Sequence, residues 1–271
     1  MNSQRPATDV LTERSSRVVA LAKLQRASVR RSEKRFLVEG FNSVDAALAT
    51  GRARSVLVRE RDEDRHAALV ERAQAAGLPI RRLSDRAADK LSETTTAPGV
   101  FAECDILTAH LVDVLGEAPQ FLVVAVEPRE PGNLGTLLRC ADAMGADAVL
   151  VLGDAVDPHN GKCVRASAGS VFHIPVARDP DVAGALRAIA ATGVRTIATT
   201  IDGELSVDDA DELLGSPHAW LFGNEAHGLP EVIAAGAHQR VSIPIRGRAE
   251  SLNLAAASAI CLYASSRAQN R

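Results

Sequence analysis

The apolar positions of this 271-residue chain fall into two textures. In the N-terminal part they are interleaved with charge. From Thr12 to about Val29 they recur at helical spacing, at Val18, Val19, Leu21, Ala22 and Leu24, which predicts an amphipathic helix carrying basic residues on its open face. Residues 35–40 (RFLVEG) predict a short strand running into a turn. Residues 41–51 predict a helix closed by Gly51, 55–60 (SVLVRE) a strand, and 65–77 a helix with its own terminal glycine. The stretches LPIRRLS and GVFAECD supply two more strands, which makes a small α/β unit.

Farther along, the apolar runs are unbroken. Residues 121–127 (FLVVAVE), 148–153 (AVLVLG), 171–176 (VFHIPV), 195–200 (RTIATT), 218–223 (HAWLFG) and 240–245 (RVSIPI) read as strands without alternation. Such strands are covered on both faces, which predicts a parallel sheet flanked by helices, and LGTLLRCADAMG and VAGALRAIAATG supply glycine-terminated helices between them. The weakly patterned stretch 106–120 is the candidate linker, although its leucines and valines also suit a short helix. The resulting division is a first unit at 1–108, a linker at 109–119 and a second unit at 120–271.

Composition narrows the class. Hydrophobic residues make up 46% and charged residues 24%, and no run approaches the ~18 apolar residues of a membrane span. The first residues lack the apolar core of a signal peptide, so a cytoplasmic address is expected. Cys104, Cys140, Cys163 and Cys261 are widely separated with no CxxC pair, which predicts reduced, buried thiols and neither a disulfide framework nor a metal site. The formal net charge is −3, yet residues 1–35 carry Arg5, Arg14, Arg17, Lys23, Arg26, Arg30, Arg31, Lys34 and Arg35 against Asp9, Glu13 and Glu33. That basic end fits either polyanion binding or a solvated helix face.

In parallel α/β sheets, ligands sit beyond the carboxyl ends of the strands. Three such ends here carry unusual residues. After the first strand, Gly132 and Gly135 bracket Asn133, with Arg139 farther along; free N–H groups at the start of a helix there could hold an anion. No GxGxxG spacing is present, which argues against a dinucleotide site. After the fifth strand comes GNEAHGLP, with a permissive Gly223, then Asn224, Glu225 and His227; a lone histidine of this kind reads as structural. After the sixth, Arg246 and Arg248 lead to Ser251, a helix-cap candidate, and Asn253, then to an alanine-rich helix whose small side chains predict close packing.

Taken together, Asn133, Gly135 and Arg139 in EPGNLGTLLRCA, FGNEAHGL at residues 222–229, and IPI with SLNLAAASAI between Ile243 and Ile260 resemble the three ordered signature motifs of the SpoU (TrmH) family of RNA ribose 2′-O-methyltransferases. The chain is most similar to the large-subunit (23S) rRNA enzymes, including the thiostrepton-resistance type. RFLVEG and TTTAPGVFA resemble landmarks of the small substrate-binding domain attached to several members.

The resemblance implies an α/β fold: a C-terminal SPOUT domain with a parallel sheet and a deep trefoil knot, preceded by a small α/β substrate-binding domain of the L30e type. It implies S-adenosylmethionine as cofactor, a homodimer formed through the knotted domain with both protomers contributing to the site, 23S rRNA as the partner, and no metal or membrane. By position, the cofactor would meet Thr200, Leu221, Gly223, Asn224, Ile243, Ile245 and Leu252, and Asn133, Arg139, Glu225, Ser251 and Asn253 would surround the methyl group and the target ribose. RNA would be held by Arg30, Arg31, Lys34, Arg35 and Arg165. The competing readings are a tRNA 2′-O-methyltransferase, a non-catalytic RNA-binding or ribosome-assembly protein that keeps the fold, and a nucleotide-dependent enzyme on an ordinary Rossmann sheet. Aromatic residues are only 3%, so phosphate and shape contacts are expected to outweigh base stacking.

Overall fold

The computed structural model describes residues 10–107 and 109–270; Arg5, Asp9 and the expected boundary residue Thr108 lie outside them. The chain forms two compact units, the first running through Ile106 and including His159–Phe172, the second comprising Leu107–Pro158 and His173–Arg271. No described helix is long and apolar enough to cross a membrane.

The first unit is built on a four-stranded sheet of β1 (Arg35–Glu39), β2 (Ala53–Arg59), β3 (Ile80–Leu83) and β4 (Val100–Asp105), in the order β1-β4-β2-β3. β4 runs antiparallel to both neighbours and β2 pairs β3 in parallel. Helices Ser16–Ala22 and Asp85–Leu91 cover one face through Val18, Leu21, Leu57, Leu83, Ala88, Leu91 and Phe101. The helix expected from Thr12 to Val29 is broken. It divides into Ser16–Ala22, a 3-10 turn Lys23–Gln25 and a second helix Ala27–Glu33, because Arg26 is extended (φ −90°, ψ 128°).

Arg30 explains how the break is tolerated. Its side chain is 3% exposed and donates from Nη1 to the carbonyls of Leu24 and Gln25, both at 2.9 Å, giving partners to acceptors at the helix break. The expectation that Arg30 holds RNA is therefore corrected: its guanidinium is spent inside the fold.

The second unit contains β5 (Phe121–Val126), β6 (Ala148–Leu152), β7 (Val176–Asp179), β8 (Arg195–Thr199), β9 (Leu205–Ser206), β10 (His218–Phe222) and β11 (Gln239–Ser242). Their order is β7-β6-β5-β10-β8-β11-β9, and every registered pair is parallel. All residues of β5, β6 and β10 are buried, as unbroken apolar runs require. The stretch read as a linker contains a helix, Leu111–Gly116, whose Val114 is buried.

Two strands are shorter than their apolar runs. Residues 171–176 do not form one strand: Ser170–Phe172 is a 3-10 turn of the first unit, where Phe172 stacks on Phe36 at 5.8 Å, and β7 starts only at Val176. β11 ends at Ser242, which leaves Ile243, Pro244 and Ile245 as loop; Pro244 has no N–H to give a neighbouring strand.

From β5 the chain builds outward through β6 and β7, then crosses to β8, and β10 later fills the place between β5 and β8. That reversal brings the carboxyl ends of β5, β10, β8 and β11 side by side, the position at which open α/β sheets bind ligands.

The last helix, Leu254–Gln269, packs on helix Pro131–Ala143 and is tied to β10 by a buried polar network. Trp220 Nε1 donates to Ser265 Oγ at 2.7 Å, His218 Nε2 lies 2.7 Å from the same oxygen, and His218 Nδ1 lies 2.8 Å from the Ser216 carbonyl. A carbonyl only accepts, so the His218 proton sits on Nδ1 and the serine hydroxyl donates to Nε2. Burial holds the imidazole below its ordinary value of 6.5, with the Ser216 bond acting the other way. The unfolded chain therefore binds a proton at a higher pH than the native one, and stability is expected to fall as pH drops below about 6.5, by up to about 1.4 kcal/mol per pH unit, until the lowered native value is passed. Urea unfolding at a series of pH values measures this slope, which His218→Gln should flatten.

Three of the four thiols, Cys104, Cys163 and Cys261, are buried; Cys140, on helix Pro131–Ala143, is partly exposed. Burial pushes the Cys261 thiol up to about 12 and Cys104 well above its ordinary value.

Candidate active site at the strand ends

Beyond the carboxyl ends of β8, β10 and β11 lies a cleft of about 480 Å³. Thr200 follows β8 and Gly223 follows β10. The loop after β11 contributes Ile243 and Ile245, Ser251 and Leu252 precede the last helix, and Leu229 closes another side. Its walls set apolar side chains beside polar and charged ones such as Asp202, Glu231 and Arg240, and Ile245 and Leu252 stay 36% and 39% exposed. Open apolar side chains facing backbone at strand ends suit a flat, partly apolar small molecule read by backbone groups, and the volume falls in the usual range of about 300–1,000 Å³.

The loop from Gly223 to Gly228 is cross-tied. The Asn224 N–H donates to the Gly228 carbonyl at 3.0 Å, and the Gly228 N–H donates back to Asn224 at 2.8 Å. Asn224 Oδ1 accepts from the Ala226 N–H at 2.8 Å, and its Nδ2 donates to the carbonyl of Glu127 at 2.9 Å. This side chain is occupied in holding the loop against the end of β5.

Glu225 performs a related task on a larger scale. Its carboxylate accepts from the backbone N–H groups of Arg129 (3.0 Å) and Glu130 (3.1 Å) and from Asn133 Nδ2 (3.1 Å). These donors sit at the start of helix Pro131–Ala143, where N–H groups lack helical partners and negative charge is favoured. Burial alone would raise the Glu225 carboxyl, but the N–H groups of Arg129 and Glu225, the Asn133 amide and the Glu130 N–H outweigh it and hold the group below its ordinary value. Asn133 Oδ1 in turn accepts from Asn253 Nδ2 at 3.2 Å, and Asn253 Oδ1 accepts from the Ala255 N–H at 2.8 Å, capping the last helix. One hydrogen-bond relay, Asn253 to Asn133 to Glu225 to the 129–130 backbone, thus joins three segments far apart in sequence.

A model of the SpoU rRNA methylase family matches residues 120–263, and a model described as RNA 2′-O ribose methyltransferase substrate binding matches residues 37–109. The chain belongs to the SpoU rRNA methylase family. It is 34% identical over 243 residues to the 23S rRNA (guanosine(2553)-2′-O)-methyltransferase RlmP of Bacillus subtilis, covering 89% of this chain and 92% of that one. Among solved structures, the AdoMet-bound rRNA methyltransferase from Sinorhizobium meliloti superposes with a TM-score of 0.82 at 30% identity, covering 96% of this chain and 97% of that one. The SpoU methyltransferase AviRb from Streptomyces viridochromogenes, in complex with AdoMet, gives 0.81 at 28% identity over 93% and 98%. Both solved relatives hold S-adenosylmethionine (AdoMet), the cofactor the motifs lead one to expect.

Seen as a SpoU enzyme, the chain distributes its expected site residues unevenly. Thr200, Gly223, Asn224, Ile243, Ile245, Leu252, Glu225 and Ser251 all line the cleft. Leu221 does not: it is 1% exposed within the core beneath the sheet, packed among residues such as Leu122 and Val124. The alternation of β10 turns its side chain to the face opposite Phe222, which does line the cleft, so the Leu221 side chain is not part of the cleft wall. Ser251 is not the helix cap its position suggests; Asn253 fills that role. His227, read as structural, is exposed and lines the cleft. Arg139 is exposed, and its guanidinium forms no hydrogen bond or ion pair among the described residues; it is not among the residues that line its own chain's cleft.

Of the RNA-binding set, Arg31 and Lys34 are exposed, Arg35 pairs with Glu33 and Glu103, and Arg165 donates to Glu39 at 2.6 Å and Glu93 at 3.1 Å. Ile201, 73% exposed at the mouth, and the Arg240–Asp202 pair at 2.7 Å are cleft elements that sequence reading missed. The only signal for Ile201 was its place just past the strand RTIATT.

Glu225→Gln tests the relay directly. It keeps the shape but turns one acceptor oxygen into an amide that faces other donors. A loss of about 1–3 kcal/mol in folding stability is expected, read as a lowered denaturant midpoint, together with slower methyl transfer.

Proposed function

We propose that this enzyme transfers a methyl group from AdoMet to the ribose 2′ oxygen of a nucleotide in 23S rRNA, in the cytoplasm. The observation that carries the proposal is the relay through Asn253, Asn133 and Glu225, which ties the first and third signature segments to Glu225 in the wall of one cleft. The name of RlmP specifies a guanosine target in 23S rRNA, and a Streptomyces viridochromogenes relative named for a uridine target is 34% identical over 180 residues. Two different bases with the same 2′-O chemistry support the ribose, not the base, as the reacting group.

AdoMet, when bound, supplies an electrophilic methyl group on a sulfonium. Ile243, Ile245 and Leu252 would enclose its apolar surface, and the backbone at Gly223 and Thr200 would read its polar edges. The chain's other task is to align the 2′ oxygen with that methyl, which can be worth about 7–11 kcal/mol. A guanidinium with a pKa above about 12 is a poor proton acceptor. Arg139 is therefore assigned to the phosphate beside the target ribose and to the negative charge developing on the 2′ oxygen.

Because Arg139 stands apart from its own cleft, we assign it to the cleft of a second copy in a homodimer. Tyr263 and Ile260, 59% and 40% exposed on the last helix, offer apolar surface for that association.

Incubation with methyl-labelled AdoMet and 23S rRNA, followed by mapping of 2′-O-methyl sites in cells with and without the protein, tests the proposal. Label at one 23S ribose is expected. Label in tRNA would replace the substrate, and AdoMet binding without transfer to any RNA would make the protein a non-catalytic binder.

A further inference from the structure

Away from the cleft, the first unit gathers guanidinium groups at one end of its sheet. Glu103 of β4 lies opposite Leu37 of β1 and Ser55 of β2, Arg35 lies opposite Asp105, and Arg81 of β3 lies opposite Leu57. Cross-strand partners share a face and alternate residues return to it, so Arg35, Ser55, Arg81 and Glu103 project to the same side. Arg17 joins them from helix Ser16–Ala22, and Arg54 from the irregularity in β2 between Ala53 and Ser55. These six residues, with Leu11 and Pro79, line a hollow of about 400 Å³.

The floor of the hollow is Glu103, 1% exposed, which accepts from Arg17 Nη2, from Arg35 Nη1 at 2.6 Å and from Ser55 Oγ at 3.2 Å. A buried carboxylate needs such partners; Arg35 also pairs with Glu33, so Arg17 and Arg35 are matched in charge but not in donors. Each carries five N–H donors in a rigid fork, and Arg17 and Arg35 keep 43% and 29% of their side chains open. Arg54 is half-exposed and bonded to Asp105 at 2.7 Å, while Arg81 is exposed and its side chain is bonded to none of the described residues. Arg82, one residue on, is spent on Glu63 at 2.8 Å. Four guanidiniums, two of them oriented by a carboxylate beneath, therefore face a hollow whose lining has one acidic group.

Planar forks held in place match the oxygens of a phosphate. We propose that this hollow is a phosphate socket for the RNA backbone, and that it, more than the basic run at residues 30–35, gives the substrate-binding unit its grip. The proposal rests on the reading of RNA as substrate. With no aromatic ring in its lining, the socket would hold backbone and leave sequence choice to other parts of the surface.

The full-length double variant Arg54→Glu/Arg81→Glu, compared with Arg31→Glu/Lys34→Glu, tests it by binding to a 23S rRNA transcript over a range of salt. For the socket variant, affinity should fall by about tenfold or more, and the slope of log affinity against log salt should become shallower by about one for each phosphate no longer held. The other pair should change less, and AdoMet affinity should be unchanged in both. Wild-type affinity and slope in the Arg54/Arg81 variant, or a larger loss from the Arg31/Lys34 pair, would overturn the socket. Wild-type protein that binds the transcript without transferring methyl would instead defeat the assigned activity and leave the socket to be judged on binding alone.

Discussion

Arg139→Ala is expected to lower kcat/KM for RNA methylation by about 10²–10³-fold or more, the scale seen when a donor to a developing oxyanion is removed. AdoMet affinity, measured by calorimetry, should stay within a few-fold, because the guanidinium is assigned to the RNA phosphate and the 2′ oxygen and not to the cofactor. Loss of AdoMet binding would contradict this division of roles. A mixing experiment then separates action within one chain from action across a dimer. If Arg139 serves a partner's cleft, combining Arg139→Ala with a cleft-defective variant restores one of the two sites in every mixed dimer. If it serves its own cleft, the mixture stays inactive.

Gly223→Ala should be the most damaging single methyl in the cleft. A Cβ at this position would lie 2.1 Å from the Gly228 carbonyl carbon, 2.2 Å from the Leu229 nitrogen and 2.4 Å from the Gly228 oxygen. All three are backbone atoms, so no side-chain rotation relieves the clash. The cross-tie between Asn224 and Gly228 must open, and the cleft wall moves with it. AdoMet affinity is expected to fall by about 100-fold or more, equivalent to about 2.7 kcal/mol. Gly236→Ala is the control, because a Cβ there meets nothing within 4 Å. Equal affinities in the two variants would show that the loop yields at little cost.

The parallel sheet was legible because its unbroken apolar runs leave little choice of environment, and β5, β6 and β10 fall where those runs do. What failed depended on neighbours that a linear pattern does not contain. Phe172 belongs to a stack with Phe36 and not to β7. Arg30 looked like one more surface cation until the break at Arg26 supplied it with carbonyls. β9 has two residues, too few to show any period.

The site divides in the same way. Gly223 was recognisable as a place of close approach, but the approaching group is its own loop. Glu225 stood out as a carboxylate with no reason to be in a plain turn, yet its donors lie more than ninety positions away, at Arg129, Glu130 and Asn133. Leu221 was carried into the cofactor set by its neighbours, although strand alternation sends it to the core. A motif marks which segments meet, whereas the direction of each side chain is set by the pleat and by partners from elsewhere in the chain.

Cys140 gives this molecule a built-in reporter. It is the one partly open thiol of the four and the immediate neighbour of Arg139, and burial raises its pKa while Arg139 draws it down. A thiol reagent should therefore meet the untreated protein first at that position, without any engineered cysteine. Its rate of alkylation would follow, in real time, whether a second protomer or an RNA strand has come to cover the helix that carries the arginine.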